Sequence, residues 1–219
     1  MEALGGYTGP RRVKQILKEL AGLYPNAACL LHYGNAFELL VATILSAQCT
    51  DARVNQVTPG LFRKYPTPQA FAALRPEQLE PEIHSTGFFR NKAKSIVGTS
   101  QQLVARFDGQ VPKTMDELLT LPGVARKTAN VVLGSAYHVA SGIVVDTHVF
   151  RVATRRLRLS SATTAAGVEQ DLITLVPRDR WISFSYQTTL FGRELCLARK
   201  PRCAQCPLEP ICDSPEKTV

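Results

Sequence analysis

Four cysteines fall within seventeen residues in the pattern Cys196-x6-Cys203-x2-Cys206-x5-Cys212, on a stretch broken by Pro201, Pro207 and Pro210. Crowded thiolates repel one another unless a cation sits among them, so this stretch is expected to fold as a loop around a metal centre. Zinc ribbons usually present two close cysteine pairs, whereas here only Cys203 and Cys206 are close, and spacing alone leaves zinc and an iron–sulfur group both open. Cys29 and Cys49 stand apart. The opening Met-Glu-Ala-Leu-Gly-Gly-Tyr carries an acid and no apolar signal core, so an intracellular, reducing compartment is expected and structural disulfides are not.

The rest of the chain reads as an all-α succession. Val13, Ile16, Leu17, Leu20 and Leu23 recur at three-to-four spacing and predict an amphipathic helix over 11–24, stopped by Pro25. Residues 37–46 are apolar nearly all round, as in a helix at the centre of a bundle. Thr67-Pro68 and Arg75-Pro76 open two short helices, and Thr114-Met-Asp-Glu117 is a capping-box pattern that opens a third. Further helices are predicted over 88–107, 126–137, 147–156, 165–176 and 179–195, while Pro59 should kink or break a helical stretch over 51–62. The most apolar segments, 37–47 and 130–145, are shorter than the ~20 residues of a membrane span and read as buried helices. No membrane partner is expected.

Lys plus Arg outnumber Asp plus Glu by 26 to 18, a formal charge of +8 that favours a polyanionic partner. Leu121-Pro-Gly-Val-Ala-Arg-Lys-Thr-Ala129 puts a helix end, a glycine turn and a new helix into nine residues. Gly123 permits a left-handed turn, and a helix start directed outward holds a phosphate without reading a base. The alternative is a plain helix–turn–helix corner, and Arg126 and Lys127 tilt the reading towards an anion site. Lys127 is most simply a phosphate contact. As a nucleophile it would have to be neutral, and a helix end is too weak to ensure that, so catalysis implies a recessed, partly dry pocket. Val144-Val-Asp-Thr-His-Val149 places Asp146 just before a helix, where an N-cap is the plain reading. Such a carboxylate could also stabilise a sugar cation, with His148 and Arg151 available to phosphate. Arg193, Arg199, Lys200 and Arg202 give the cysteine loop a basic rim.

Together these pieces resemble the endonuclease III family of DNA glycosylases, in the helix-hairpin-helix superfamily. Leu45-Ser-Ala-Gln-Cys-Thr-Asp51, Thr86-Gly-Phe-Phe-Arg-Asn-Lys-Ala93, the 121–129 hairpin, Val145-Asp-Thr-His-Val-Phe-Arg-Val152 and the four cysteines occur in the family's order across most of the chain. The resemblance implies two all-helical lobes, a six-helix barrel with the hairpin over 29–140 and a cluster lobe from 1–28 and 141–219. It implies a 4Fe-4S cluster on Cys196, Cys203, Cys206 and Cys212. It implies Lys127 as nucleophile and Asp146 as assisting carboxylate in a glycosylase and abasic-site lyase that removes oxidised pyrimidines by Schiff base and beta-elimination. The DNA-binding set it implies is Gln48, Phe88, Leu121, Gly123, Ala125, Arg126, His148 and Arg151, with Gln48 and Phe88 filling the space an extruded nucleotide leaves. Phe88 stands where members often carry an aliphatic residue, and Ala125 where a second glycine is usual.

The expected partner is double-stranded DNA with damaged bases or abasic sites, met by a monomer in the cytoplasm at the nucleoid. The competing readings are a monofunctional glycosylase and a non-enzymatic iron–sulfur or zinc DNA-binding protein. The related adenine glycosylases usually lack the lysine and carry an added C-terminal domain, whereas this chain has Lys127 and runs seven residues past Cys212.

Overall fold

The computed structural model describes residues 9–218, and every regular element among them is helical. In chain order the helices are α1 (Gly9–Leu23), α2 (Ala36–Leu45), α3 (Asp51–Lys64), α4 (Pro68–Ala72), α5 (Pro76–Ile83), α6 (Phe89–Phe107), α7 (Met115–Leu119), α8 (Arg126–Tyr137), α9 (Thr147–Arg151), α10 (Ala165–Leu175) and α11 (Trp181–Glu194). Short 3-10 turns at His84–Thr86 and Arg178–Arg180 lie between them, and two more at Cys203–Gln205 and Glu209–Ile211 follow α11. Two compact units emerge, one of residues 29–141 and one that joins residues up to 28 with those from 142 onward.

In the 29–141 unit α2 is the central element. Phe37, Leu39, Leu40, Val41, Ile44 and Leu45 are all buried, only Ala36 and Glu38 at its start are partly exposed, and the helix packs on α3, α6 and α8. Asn35 starts it by accepting the Glu38 N–H at 3.0 Å. Thr67 caps α4 in the same way, through Ala70 N–H at 3.2 Å, and α4 and α5 lie against α6.

Two expectations fail here. Helix α3 runs unbroken through Pro59. Pro59 and Gly60 face solvent, where water can satisfy the carbonyl that proline leaves without a donor, while Val54, Thr58 and Leu61 anchor the opposite face. The apolar run 130–145 is not one buried helix: α8 stops at Tyr137, His138 turns left-handed with φ 55°, and residues 139–146 continue without helix. Ile143, Val144 and Val145 are buried in that non-helical stretch, which explains why their apolar character resembled a helix core.

The other unit is organised around α1, α9, α10 and α11. Ile16 and Leu20 meet Phe184 and Phe191, and Val149, Val152, Leu172, Leu208 and Ile211 complete one core. Each buried phenylalanine contributes about 1.5–3 kcal/mol. Leu208 and Ile211 belong to the cysteine stretch, so that loop is fastened to the core by side chains as well as by any metal. The helix predicted over 147–156 changes character midway: α9 ends at Arg151, and Val152–Arg156 forms a π turn with Leu157 N–H bonded to Val152 O at 2.8 Å. The extra residue rotates Arg156 inward, where it is 3% exposed and bonds Ala198 O at 3.2 Å.

Candidate active site and cysteine centre

The hairpin between α7 and α8 is built from local rules. Thr114 caps α7 and its hydroxyl meets Glu117 Oε2 at 2.6 Å. After α7 the chain turns at Gly123, whose φ is +74°, and a Cβ there would lie 2.5 Å from Ser95 Cβ. Both conformation and space therefore demand glycine. Thr99 Oγ1 holds the corner by donating to Pro122 O at 2.6 Å. Ala125 precedes α8 in extended conformation and supplies no side-chain acceptor, so the start of a twelve-residue helix is open to an anion. Lys127 sits exposed in its first turn beside half-buried Arg126.

Leu121, in the set expected to contact DNA, has a side chain that is 3% exposed and packs inward. Lys127 likewise lacks the recessed pocket that catalysis implied, because its position at the solvent-facing start of α8 keeps it exposed.

Asp146, in the other unit, caps α9 with Oδ1, which accepts the His148 and Val149 N–H groups at 2.8 Å each. Oδ2 accepts the Thr189 hydroxyl at 3.1 Å. The carboxylate is thus held at both oxygens and remains half-exposed. Arg151 is turned away from the role expected of it. Its NH2 group donates to Gly192 O at 2.6 Å and Cys196 O at 2.9 Å, and lies 3.4 Å from His148 Nδ1. Arginine satisfies several carbonyls from one planar group, and here it ties α9 to the end of α11 and the first cysteine. His148 remains half-exposed.

Gln48 and Phe88 share an unusual backbone. Gln48 lies in the turn between α2 and α3 with φ 52°, and Phe88 precedes α6 with φ 48°. Left-handed conformation costs such residues about 1–2 kcal/mol, and it directs both out of the 29–141 unit. Phe88 is 62% exposed, while the adjacent Phe89 ring packs 4.5 Å from His84. Of two consecutive phenylalanines, one anchors and the other projects.

All four clustered cysteines border one cavity with about 400 Å³ of empty space, part of it open to solvent, lined also by Arg156, Phe191 and Leu208. Burial pushes the Cys196 thiol up to about 12, with Cys212 and Cys206 adding to the rise and Arg156 opposing it. Burial also raises Cys206 and Cys212. Four thiols in a shared space, with Cys196, Cys206 and Cys212 made harder to ionise by burial and by neighbouring thiols, are a donor set that a cationic iron–sulfur core relieves. Among the described residues no three His, Cys, Asp or Glu side chains stand at the spacing of a single-ion site. Arg193, Arg199, Lys200 and Arg202 are exposed around the loop.

Three participants escaped the sequence reading. Thr189 reaches Asp146 across 43 positions, Arg156 is drawn in by the π turn, and Lys92 is buried with its amine on Leu45 O and Thr86 O. None leaves a periodic or local signal.

No helix among the described residues is long and apolar enough to cross a membrane. A family model for HhH-GPD superfamily base excision DNA repair proteins matches residues 41–178. Endonuclease III of Synechocystis sp. is 53% identical over 93% of both chains, and that of Bacillus subtilis 43% identical over 94% of both. The solved structure of a trapped endonuclease III–DNA covalent intermediate superposes with a TM-score of 0.89 at 43% identity, covering 94% of this chain and 97% of that one. With the hairpin, the capped aspartate and the four-cysteine loop in place, the chain belongs to the endonuclease III family of helix-hairpin-helix base excision repair proteins.

Proposed function

We propose that this family member, a DNA glycosylase and abasic-site lyase of base excision repair, attacks oxidised pyrimidine nucleotides with Lys127 and uses Asp146 as the assisting carboxylate. The observation that carries the reading is the seating of Lys127 one residue into α8, directly after a glycine turn that offers backbone N–H groups to a phosphate. The turn fixes the sugar-phosphate backbone, and the same turn's lysine is then presented to the sugar.

The amine nitrogen bonds to C1′ of the extruded nucleotide as the C1′–base bond breaks, and the departing base takes up a proton. Loss of an amine proton with ring opening gives the Schiff base, which acidifies C2′. Abstraction of that C2′ proton expels the 3′ phosphate, and water then releases Lys127. Asp146, held by two N–H groups and Thr189, can stabilise the positive charge that grows on the sugar without spending energy on reorientation. Gln48 and Phe88 fill the vacated stack, and the hairpin residues Gly123, Ala125 and Arg126 bind phosphate. His148 lies beside this carboxylate and is a further phosphate contact. Leu121 and Arg151 would act in support: Leu121 by packing the hairpin, and Arg151 by fastening α9.

Cys196, Cys203, Cys206 and Cys212 would hold a 4Fe-4S cluster, supported by their common cavity and donor chemistry. Bound there, the group supplies a cross-link that fixes the basic loop. The barrel and hairpin are ascribed to the 29–141 unit and the cluster to the other, in a monomer acting on chromosomal DNA in the cytoplasm.

Borohydride reduction tests the chemistry. Wild type should be trapped covalently on duplexes holding an abasic site or an oxidised pyrimidine, and Lys127→Gln on neither while still binding both. Base release that leaves only alkali-labile sites would make the enzyme monofunctional. Iron and sulfide analysis, with the visible absorption of the purified protein, separates an iron–sulfur cluster from zinc.

A further inference from the structure

Lys92 is 5% exposed, a rare place for an amine. Its Nζ donates to Leu45 O at 2.7 Å and to Thr86 O at 2.8 Å. Leu45 is the last residue of α2 and Thr86 the last of the His84–Thr86 turn, so both acceptors are carbonyls at helix ends, where partial negative charge collects and donors run out. The main chain of the same residue adds a third tie, since Lys92 N–H bonds Phe88 O at 3.1 Å.

Those partners sit beside the two projecting residues. Leu45 is three positions before Gln48, and Thr86 is two before Phe88. Both projecting residues hold left-handed backbones that persist only where their surroundings over-determine them. An apolar side chain at 92 would fill the same space and leave both carbonyls without a donor.

We infer that Lys92 is a positioning residue that locks the Gln48 turn to the Phe88 turn, so that both side chains enter the duplex as one unit. The inference rests on the reading that Gln48 and Phe88 fill the space left by the extruded nucleotide. Lys92 itself touches neither the DNA nor the reacting atoms. Its effect is confined to substrates from which a stacked nucleotide must be extracted.

The test compares wild type with Lys92→Met on two substrates. One is a duplex with an oxidised pyrimidine and a 2-aminopurine reporter in the opposite strand, and the other is a single-stranded oligonucleotide with an abasic site, where no stack has to be filled. Single-turnover excision from the duplex should fall about 10²-fold, the scale of a small misplacement, together with the reporter's fluorescence rise. Cleavage of the single strand should stay within about twofold. An equal fall on both substrates, or no fall on the duplex, overturns the inference.

Should Lys92→Met fail to fold, the decision passes to Gln48→Ala, Phe88→Ala and the double variant in the wild-type background. A locked pair predicts that either single change costs nearly as much as both, and independent, multiplying losses overturn the lock. If wild type itself neither excises the base nor moves the fluorescence, the parent reading fails rather than this one.

Discussion

Thr189 donates its hydroxyl to Asp146 Oδ2 at 3.1 Å, while Oδ1 of the same carboxylate caps α9. One residue thereby serves stability with one oxygen and is held oriented for chemistry with the other. The two duties separate by substitution. Asp146→Asn keeps a good cap and should shift stability by less than about 0.5 kcal/mol while base excision drops about 10²–10⁴-fold. Asp146→Ala should add a loss of about 1 kcal/mol in denaturant unfolding. Thr189→Val should lower excision about tenfold without touching the cap, the consequence of one lost hydrogen bond to a charged group.

Gly123 is constrained by both conformation and space. Gly123→Ala should destabilise by at least about 1–2 kcal/mol from its positive φ alone, with the Ser95 contact adding to it. DNA affinity should fall by a similar factor for every sequence tested, because the turn holds phosphate and reads no base. Titrations of two unrelated duplexes check this, and a loss confined to one sequence would count against a phosphate role.

Lys200 combines a positive charge with a φ of 51° on the exposed rim of the cysteine loop. Lys200→Gly should therefore leave stability unchanged or raise it slightly. The slope of log K against log salt for DNA binding should become shallower by about 0.9, the loss of one phosphate contact. An unchanged slope would mean that this face is merely solvated.

Burial lowers the pKa of Lys92 from its ordinary 10.5, with the neighbouring Cys49 acting weakly in the opposite sense. The unfolded chain then holds the proton more tightly than the folded one. The cost of burying charge is fully present below the folded value and disappears as pH climbs from there towards 10.5, so stability attributable to Lys92 rises in that window. Thermal unfolding of wild type and Lys92→Met across neutral to alkaline pH should show the gap between them moving in favour of wild type. Movement in favour of Lys92→Met as pH rises would contradict a desolvated amine.

A cluster held by the four cysteines, as proposed, would link metal content to the loop's shape. Cys206→Ser should lower iron content and loosen the basic rim, visible as faster proteolysis around 197–210 and weaker DNA binding, while Leu208 and Ile211 keep part of the loop on the core. Retention of full iron and full protection would place the ligands elsewhere.

Sequence alone determined the features written in short-range chemistry. The Thr114 cap, the Gly123 turn, the Asp146 cap and the crowding of four thiols each depend on residues a few positions apart, and periodicity located most of the helices. Tertiary structure decided whatever rests on a partner far along the chain. Pro59 stays inside a helix because its face is wet and the opposite face is packed, and Val144 is apolar because it is buried in a non-helical stretch. Arg151 faces two carbonyls more than forty residues away instead of solvent, and Lys92 joins two helix ends that no spacing connects. A carbonyl acceptor belongs to every residue type equally, so bonds to it leave no mark in the sequence, and only the folded backbone brings them within reach.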